Sequence, residues 1–244
     1  MHRSTLAVLA GLVVSAMLTV PEACIGQAGQ DSALVRLPAP VTDGGVPLTR
    51  ALAQRRSVRS FAPTHLELTD VAQLLWAAQG VTQPMAQPAG WRWGPWSGGL
   101  RTAPSAGALY PLELYLLAAA VDGLESGLYR YVPGDHALVR VGPADRADLA
   151  AAALGQRDIA QAPAVVIVTG VFGRTMVKYG ERAPRYVHIE VGAAAENLLL
   201  QAASLGLGSV FIGAFHDDEV QKALGLPGDH APLGLVPVGH PAES

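Results

Sequence analysis

Four short segments carry residue types that can do chemistry. Arg55-Arg56-Ser57-Val58-Arg59 sets three guanidiniums and a hydroxyl close together. Arginine pairs bidentately with phosphate oxygens, so the group suits a phosphate ester; a solvated basic patch would have the same composition. Arg101-Thr102-Ala103-Pro104-Ser105-Ala106-Gly107-Ala108-Leu109-Tyr110-Pro111 leads into an apolar run. Its small residues would let a flat ligand lie against backbone, although an ordinary loop before a strand reads alike. In Ser209-Val210-Phe211-Ile212-Gly213-Ala214-Phe215 a glycine at a strand end can offer its N–H to a ligand edge, or simply pack closely. Lys178-Tyr179-Gly180, with Arg185-Tyr186, supplies an ammonium and a phenol. These can move protons if a site shifts their pKa values, and are otherwise solvated loop residues.

These segments need a scaffold. Residues 29–46 are rich in Gly and Pro and read as an extended arm. Pro47 can open a helix with Leu48, Ala51 and Leu52 as its apolar stripe. A second helix starts at Thr69-Asp70, carries Val71, Leu74, Leu75 and Ala78 on one face, and stops at Gly80. Residues 81–100 read as a long loop holding Trp91, Trp93 and Trp96. Strands are expected over 112–120, 128–132, 137–141, 164–169, 209–214 and 233–238, with a hairpin turn at Pro133-Gly134-Asp135. Helices are expected over 145–154, 186–205 and 217–224, the second made small by Gly192-Ala193-Ala194-Ala195. Strands and helices alternate without a strict βαβ rhythm, which argues one α+β domain over 47–244 with a mixed sheet.

Composition narrows the classes. The chain has 244 residues, a net charge of −3, half its residues apolar and only 15% charged. That supports a packed core and makes nucleic acid a poor partner. One cysteine, Cys24, excludes an intrachain disulfide and a cysteine-based zinc site. The scattered histidines show no metal-binding spacing, so no metal is expected. No P-loop or G-x-S-x-G occurs, and Gly206-x-Gly208 lacks the third glycine of a dinucleotide fingerprint. At the N-terminus, Met1-His2-Arg3 precedes an uncharged run over 6–20 and a small-residue stretch near Ala28. That is the order of a secretory signal or N-terminal anchor over residues 1–28. Export to the periplasm or outside the cell is the corresponding expectation, and Pro21 argues against lipidation at Cys24.

Taken in order, the four segments resemble the FMN-dependent nitroreductases, above all their SagB-type (ThcOx-like) dehydrogenase branch. The likeness rests on R-R-S-x-R, R-x-x-P-S-A-G-A-L-Y-P-L-E-L-Y, H-I-E-V-G-A-A-A-E-N-L-L-L-Q-A and G-L-G-S-V-F-I-G, and runs from about Leu48 to Pro241. It implies a nitroreductase-like α+β fold, a homodimer with FMN at the interface, and hydride transfer through flavin N5. It implies that Arg55, Ser57 and Arg59, with Arg56 beside them, hold the cofactor's phosphate and its ribityl chain or ring edge. Pro104, Ser105, Ala106 and Gly107 would line the flavin ring from the partner subunit. Ile212, Gly213 and Ala214 would approach N5 through backbone groups. Lys178 and Tyr179 match a proton-handling pair of azole-forming members. Ala108 and Tyr110 stand where typical nitroreductases have Asn and Gln, as the SagB-type branch does. Residues 239–244 lack the cation those nitroreductases place on the phosphate, so residues 55–59 and Arg101 are expected to serve instead.

The expected function is that of an FMN-dependent oxidoreductase acting on a small molecule or peptide. NAD(P)H is one candidate electron donor. The alternatives are a flavin-modifying member of the fold, a non-enzymatic flavin-binding envelope protein, or a cofactor-free binding domain. The tryptophans of 91–96 are expected to cap the substrate side.

Overall fold

The run Ala-Val-Val-Ile-Val-Thr-Gly has no polar face, and it forms the strand at the centre of the molecule. In the computed structural model, which describes residues 34–92 and 98–242, this strand is buried along its whole length. In chain order the elements are β1 (Leu34–Arg36), α1 (Leu48–Gln54), α2 (Leu68–Gln79), β2 (Val81–Pro84), β3 (Gly99–Arg101), β4 (Leu112–Ala118), β5 (Gly127–Val132) and β6 (Ala137–Gly142). Then come α3 (Arg146–Ala152), α4 (Arg157–Gln161), β7 (Ala164–Gly170), α5 (Phe172–Tyr179), α6 (Ala183–Ser204), β8 (Gly208–Ser209), α7 (Asp217–Leu224) and β9 (Ala231–Gly239). The main sheet runs β1-β6-β5-β4-β7-β9-β8.

Side chains alternate across a strand, so each face of this sheet needs its own cover. Leu112, Leu114, Leu116, Val166 and Val168 pack on one face with α2 and with Val187, Val191, Ala194 and Leu198 of α6. Tyr115, Leu117, Val165 and Ile167 pack on the other with Leu149 of α3, Ile159 of α4 and Val220 of α7. Three layers result, helices on both sides of the sheet. Asp145 caps α3 by accepting from the Ala147 N–H at 2.6 Å. Among the described residues no helix is long and apolar enough to cross a membrane.

Several expectations change. Among the described residues the sheet expected as mixed is antiparallel in every ladder, and parallel pairing occurs only at the isolated bridges Ser57–Ser209 and Leu66–Val121. The arm contributes β1, which pairs with the edge of β6 and is tied down by His136 Nε2 to the Pro38 carbonyl at 2.9 Å. The loop over 81–100 holds the hairpin pair β2–β3. The strand expected over 209–214 is regular only at Gly208–Ser209. Leu48 and Leu52 of the α1 stripe are 64% and 53% exposed, and only Ala51 of that stripe is buried. Residues 1–28, including Cys24, and Trp93 and Trp96 lie outside the described residues.

Candidate functional site

The segment 104–111 is built around unusual backbone. After Ser105, a single 3-10 turn (Ala106–Ala108) contains Gly107 at φ 64° and ψ 18°. Ala108 at φ 55° and Tyr110 at φ 44° are left-handed as well. Side-chain-bearing residues avoid that region because Cβ crowds the following carbonyl. Such strain persists only where surrounding contacts over-determine it, and it concentrates at functional sites.

The contacts are present. Ser105 accepts the Tyr110 N–H at its hydroxyl, 2.8 Å away, and the Ala108 N–H at its carbonyl, 3.1 Å away. Glu190 of α6 accepts the Ala106 N–H at 2.8 Å, and the Ser105 hydroxyl lies near its carboxylate. Burial pushes the Glu190 carboxyl pKa up; the Ala106 N–H, the Ser105 hydroxyl and the charge of Arg101 oppose the shift. Arg174 of α5 donates to the Tyr110 carbonyl at 3.2 Å and pairs with Glu113 of β4. Arg101 lies over the Tyr110 ring, 4.6 Å from its centre, and donates to Gln79 at 2.9 Å. Burial lowers the Arg101 pKa, and its Nε has no hydrogen-bond partner. These contacts make Arg101 a buttress of the loop.

Helix α5 delivers Lys178 and Tyr179 to this loop. Residues 178–179 fall on its last turn, where the sequence suggested a loop. A Cβ added at Gly107 would lie 2.8 Å from Lys178 Nζ and 2.9 Å from the Tyr179 hydroxyl, so both polar tips rest where the glycine has no side chain. Lys178 Nζ also lies 5.4 Å from the centre of the Tyr179 ring, and Tyr186 of α6 packs edge-on against that ring at 4.9 Å. Two of the four segments therefore meet: a strained, small-residue backbone and an ammonium–phenol pair.

The other two meet elsewhere. Past α1 the backbone is extended, and Ser57 bridges Ser209 while the Val58 N–H donates to the Ser209 carbonyl at 3.0 Å. Alternation puts Arg55, Ser57 and Arg59 on one face and turns Val58 inward onto Gly208. Arg56 instead folds back on α1, donating to the carbonyls of Ala53 at 3.0 Å and Arg55 at 2.8 Å. Arg55 faces Glu196 at 3.8 Å, an exposed pair worth about 0–1 kcal/mol that an arriving anion can displace. Ile212 exchanges both backbone hydrogen bonds with Leu235, at 2.8 and 2.9 Å. Of the three residues expected to present backbone, Ile212 is therefore engaged in the sheet, which leaves exposed Gly213 and the Ala214 N–H to face a ligand.

A cavity of about 580 Å³ lies between the arm, α2 and the C-terminal half of α6, and none of the expected site residues lines it. Gln73 closes one side by pairing with both backbone groups of Val41, at 2.8 and 3.1 Å. Among the described residues no group of His, Cys, Asp and Glu could hold a metal. Sequence reasoning passed over Glu190, Arg174 and Glu113. The signal for Glu190 was present: it falls on the buried stripe Val187, Val191, Ala194, Leu198, where an acid has no packing reason to stand.

The nitroreductase family profile matches residues 52–240, which takes in all four segments. MJ1384 of Methanocaldococcus jannaschii, whose name places it among the nitroreductases, is 42% identical over 199 residues, covering 81% of this chain and 93% of its own length. A solved structure from Ralstonia eutropha, named likewise, superposes with a TM-score of 0.69 at 29% identity, covering 89% of this chain and 94% of that one. A third, from Desulfovibrio desulfuricans and solved with FMN, shares the fold, with a TM-score of 0.55 at 20% identity over 82% of this chain and 89% of that one. Fold, segment order and profile agree, and the chain belongs to the nitroreductase family of oxidoreductases.

Proposed function

We propose that this chain is an FMN-dependent dehydrogenase of the SagB-type branch, working as a homodimer on a small molecule or peptide not yet identified. Family members are in general flavin oxidoreductases. The observation that carries the reading is the loop 105–110, with Gly107, Ala108 and Tyr110 held left-handed and Gly107 set against Lys178 and Tyr179. Ala108 and Tyr110 on that loop are the branch's residues.

The residues fit the cofactor by their chemistry. Arg55, Ser57 and Arg59 offer guanidiniums and a hydroxyl to a phosphate from one face. Pro104, Ser105, Ala106 and Gly107 offer flat backbone to a ring, and Gly213 with the Ala214 N–H offers hydrogen bonds to a ring edge. When bound, FMN supplies the hydride chemistry and the protein supplies orientation and electrostatics. Lys178 Nζ and the Tyr179 hydroxyl, held at Gly107, are the groups placed to give or take a proton on the substrate.

The phosphate face and the ring face are separate constellations of one chain. What supports a dimer is the open side of α6. Ile189 is 62% exposed, and Gly192 has helical backbone and nothing within 4 Å of an added Cβ. Neither packing nor conformation within the chain asks for glycine there, whereas a second helix packed closely would. The leader-like residues 1–28 support an exported setting.

The test is the absorbance spectrum of purified protein with and without added FMN, followed by anaerobic reduction with NADH, NADPH and dithionite. Flavin bands that survive desalting, bleach on reduction and return with an acceptor are the expected result. Bands that never return with any acceptor would point to a non-enzymatic flavin carrier, and a chain that takes up no FMN would end the proposal.

A further inference from the structure

Glu190 stands where the fold has no use for a carboxylate. It is 5% exposed, on the face of α6 that packs into the core beside Val187 and Val191. Burying an acid costs stability unless it is paired or hydrogen-bonded. Among the described residues no cation forms an ion pair with it; Arg101 acts on it only at longer range. The polar groups that meet it belong to one loop: the Ala106 N–H donates to it at 2.8 Å, and near it lies the Ser105 hydroxyl, which receives the Tyr110 N–H at 2.8 Å. That chain of contacts spans the stretch in which Gly107, Ala108 and Tyr110 are left-handed. The Tyr110 carbonyl is held by Arg174, on the same helix as Lys178 and Tyr179.

We infer that Glu190 is a positioning residue: it clamps the loop 105–110, in which Gly107, Ala108 and Tyr110 are left-handed, and so holds Gly107 in register with Lys178 Nζ and the Tyr179 hydroxyl. The inference rests on the reading of that loop as the flavin-facing surface. The buried carboxylate costs the core stability while it makes the loop rigid. A residue kept only for packing would do the reverse, and this difference in sign makes the two roles separable.

The experiment compares Glu190→Met with the wild-type full chain. Met keeps the length, suits a helix and a core, and accepts no hydrogen bond. Backbone hydrogen exchange over residues 102–112, read by mass spectrometry without cofactor, should rise roughly 10- to 100-fold, the range for losing a hydrogen bond to a charged group. The melting temperature should stay level or rise. With FMN loaded, kcat should fall about tenfold or more while KM changes little, because the misplaced groups act on the reacting substrate. Glu190→Gln keeps one carbonyl acceptor and should recover much of the protection. Ser105→Ala removes the relaying hydroxyl outside the helix and should loosen the same peptide, which keeps the test decisive if the Met variant does not fold. Unchanged exchange in these variants overturns the inference. So does a fall in melting temperature with exchange raised throughout the chain, because that marks a packing role. A wild-type chain that takes up no FMN ends the flavin reading alone, and the exchange result then decides the clamp.

Discussion

Replacing Gly107 by Ala tests the candidate site at its tightest point, and two costs can be worked separately. The first is backbone. Gly107 sits at φ 64°, and an L-residue in that region costs about 1–2 kcal/mol, or roughly 2–8 °C in melting temperature for a chain of this size. The second is contact. The new methyl would lie 2.8 Å from Lys178 Nζ and 2.9 Å from the Tyr179 hydroxyl. Ordinary contact is about 3.5–4 Å, so both tips must move by roughly 0.7–1 Å. They end flexible side chains, so they will move, and folding should suffer little beyond the backbone cost. Misplacing catalytic groups by about 1 Å costs on the order of 100-fold in rate. Gly225→Ala is the control: its φ is 60°, with nothing within 4 Å of an added Cβ. The two variants should lose similar stability, while only Gly107→Ala loses kcat, measured by stopped flow with FMN loaded. In a Lys178→Ala background the Gly107 effect should shrink, because the two changes disturb one contact. A Gly107→Ala enzyme with kcat within about threefold of wild type, at the same melting temperature as the control, would refute the placement of Lys178 and Tyr179 at the site.

Three further outcomes are expected. Arg55→Ala or Arg59→Ala should each weaken FMN binding roughly 10- to 100-fold, at about 1.5–3 kcal/mol per charge-assisted hydrogen bond, with riboflavin binding unchanged; fluorescence titration of both flavins checks it. Gly192→Arg should shift sedimentation from dimer to monomer and release FMN with it, while a dimeric Gly192→Arg protein would reject α6 as the interface. His136, whose pKa burial lowers below the usual histidine value, binds protons more readily unfolded, so its contribution to stability is present above about pH 6.5 and lost as pH falls below it. The stability gap between wild type and His136→Asn should therefore narrow from pH 7.5 to 5.5 in urea titrations; Asn is chosen because it tolerates the local φ of 45°.

The sequence announced an element where one apolar period ran unbroken. Helix α7 is found at the expected residues, and α2, β4 and β7 within a few, because each buries a face whose spacing is visible locally. Strand β1 escaped because three residues pairing with an edge carry no pattern of their own. Strands β2 and β3 escaped because Thr82, Gln83, Pro84 and Gly99 read as a loop, and only their mutual pairing makes them extended. Helix α5 escaped for another reason. Thr175 is its one buried residue, while Met176 and Val177 are exposed, so no apolar stripe marks it. Its period is polar: Arg174 and Lys178, four residues apart, share the side that meets the loop, one on the Tyr110 carbonyl and one at Gly107. The helix that carries Lys178 and Tyr179 was hidden because polar contacts, not burial, mark its spacing.

The same logic explains why the site was legible as four fragments and not as one. Helix α6 touches both constellations through acids, Glu190 at the loop and Glu196 at Arg55. Six residues separate them, about 9 Å along the axis and roughly 120° apart around it. One helix cannot turn two such faces toward a single small ligand. A second copy, packed along the open stripe of Ile189 and Gly192 on the Glu196 side of the helix, would bring the phosphate face of one chain toward the ring face of the other. On that proposal the glycine and the two carboxylates of α6 would form one device: Glu190 would fix what this chain presents, Glu196 would hold Arg55 until an anion replaced it, and Gly192 would set how closely a partner approached. Substituting any one of the three should then alter cofactor binding or turnover while leaving the sheet intact.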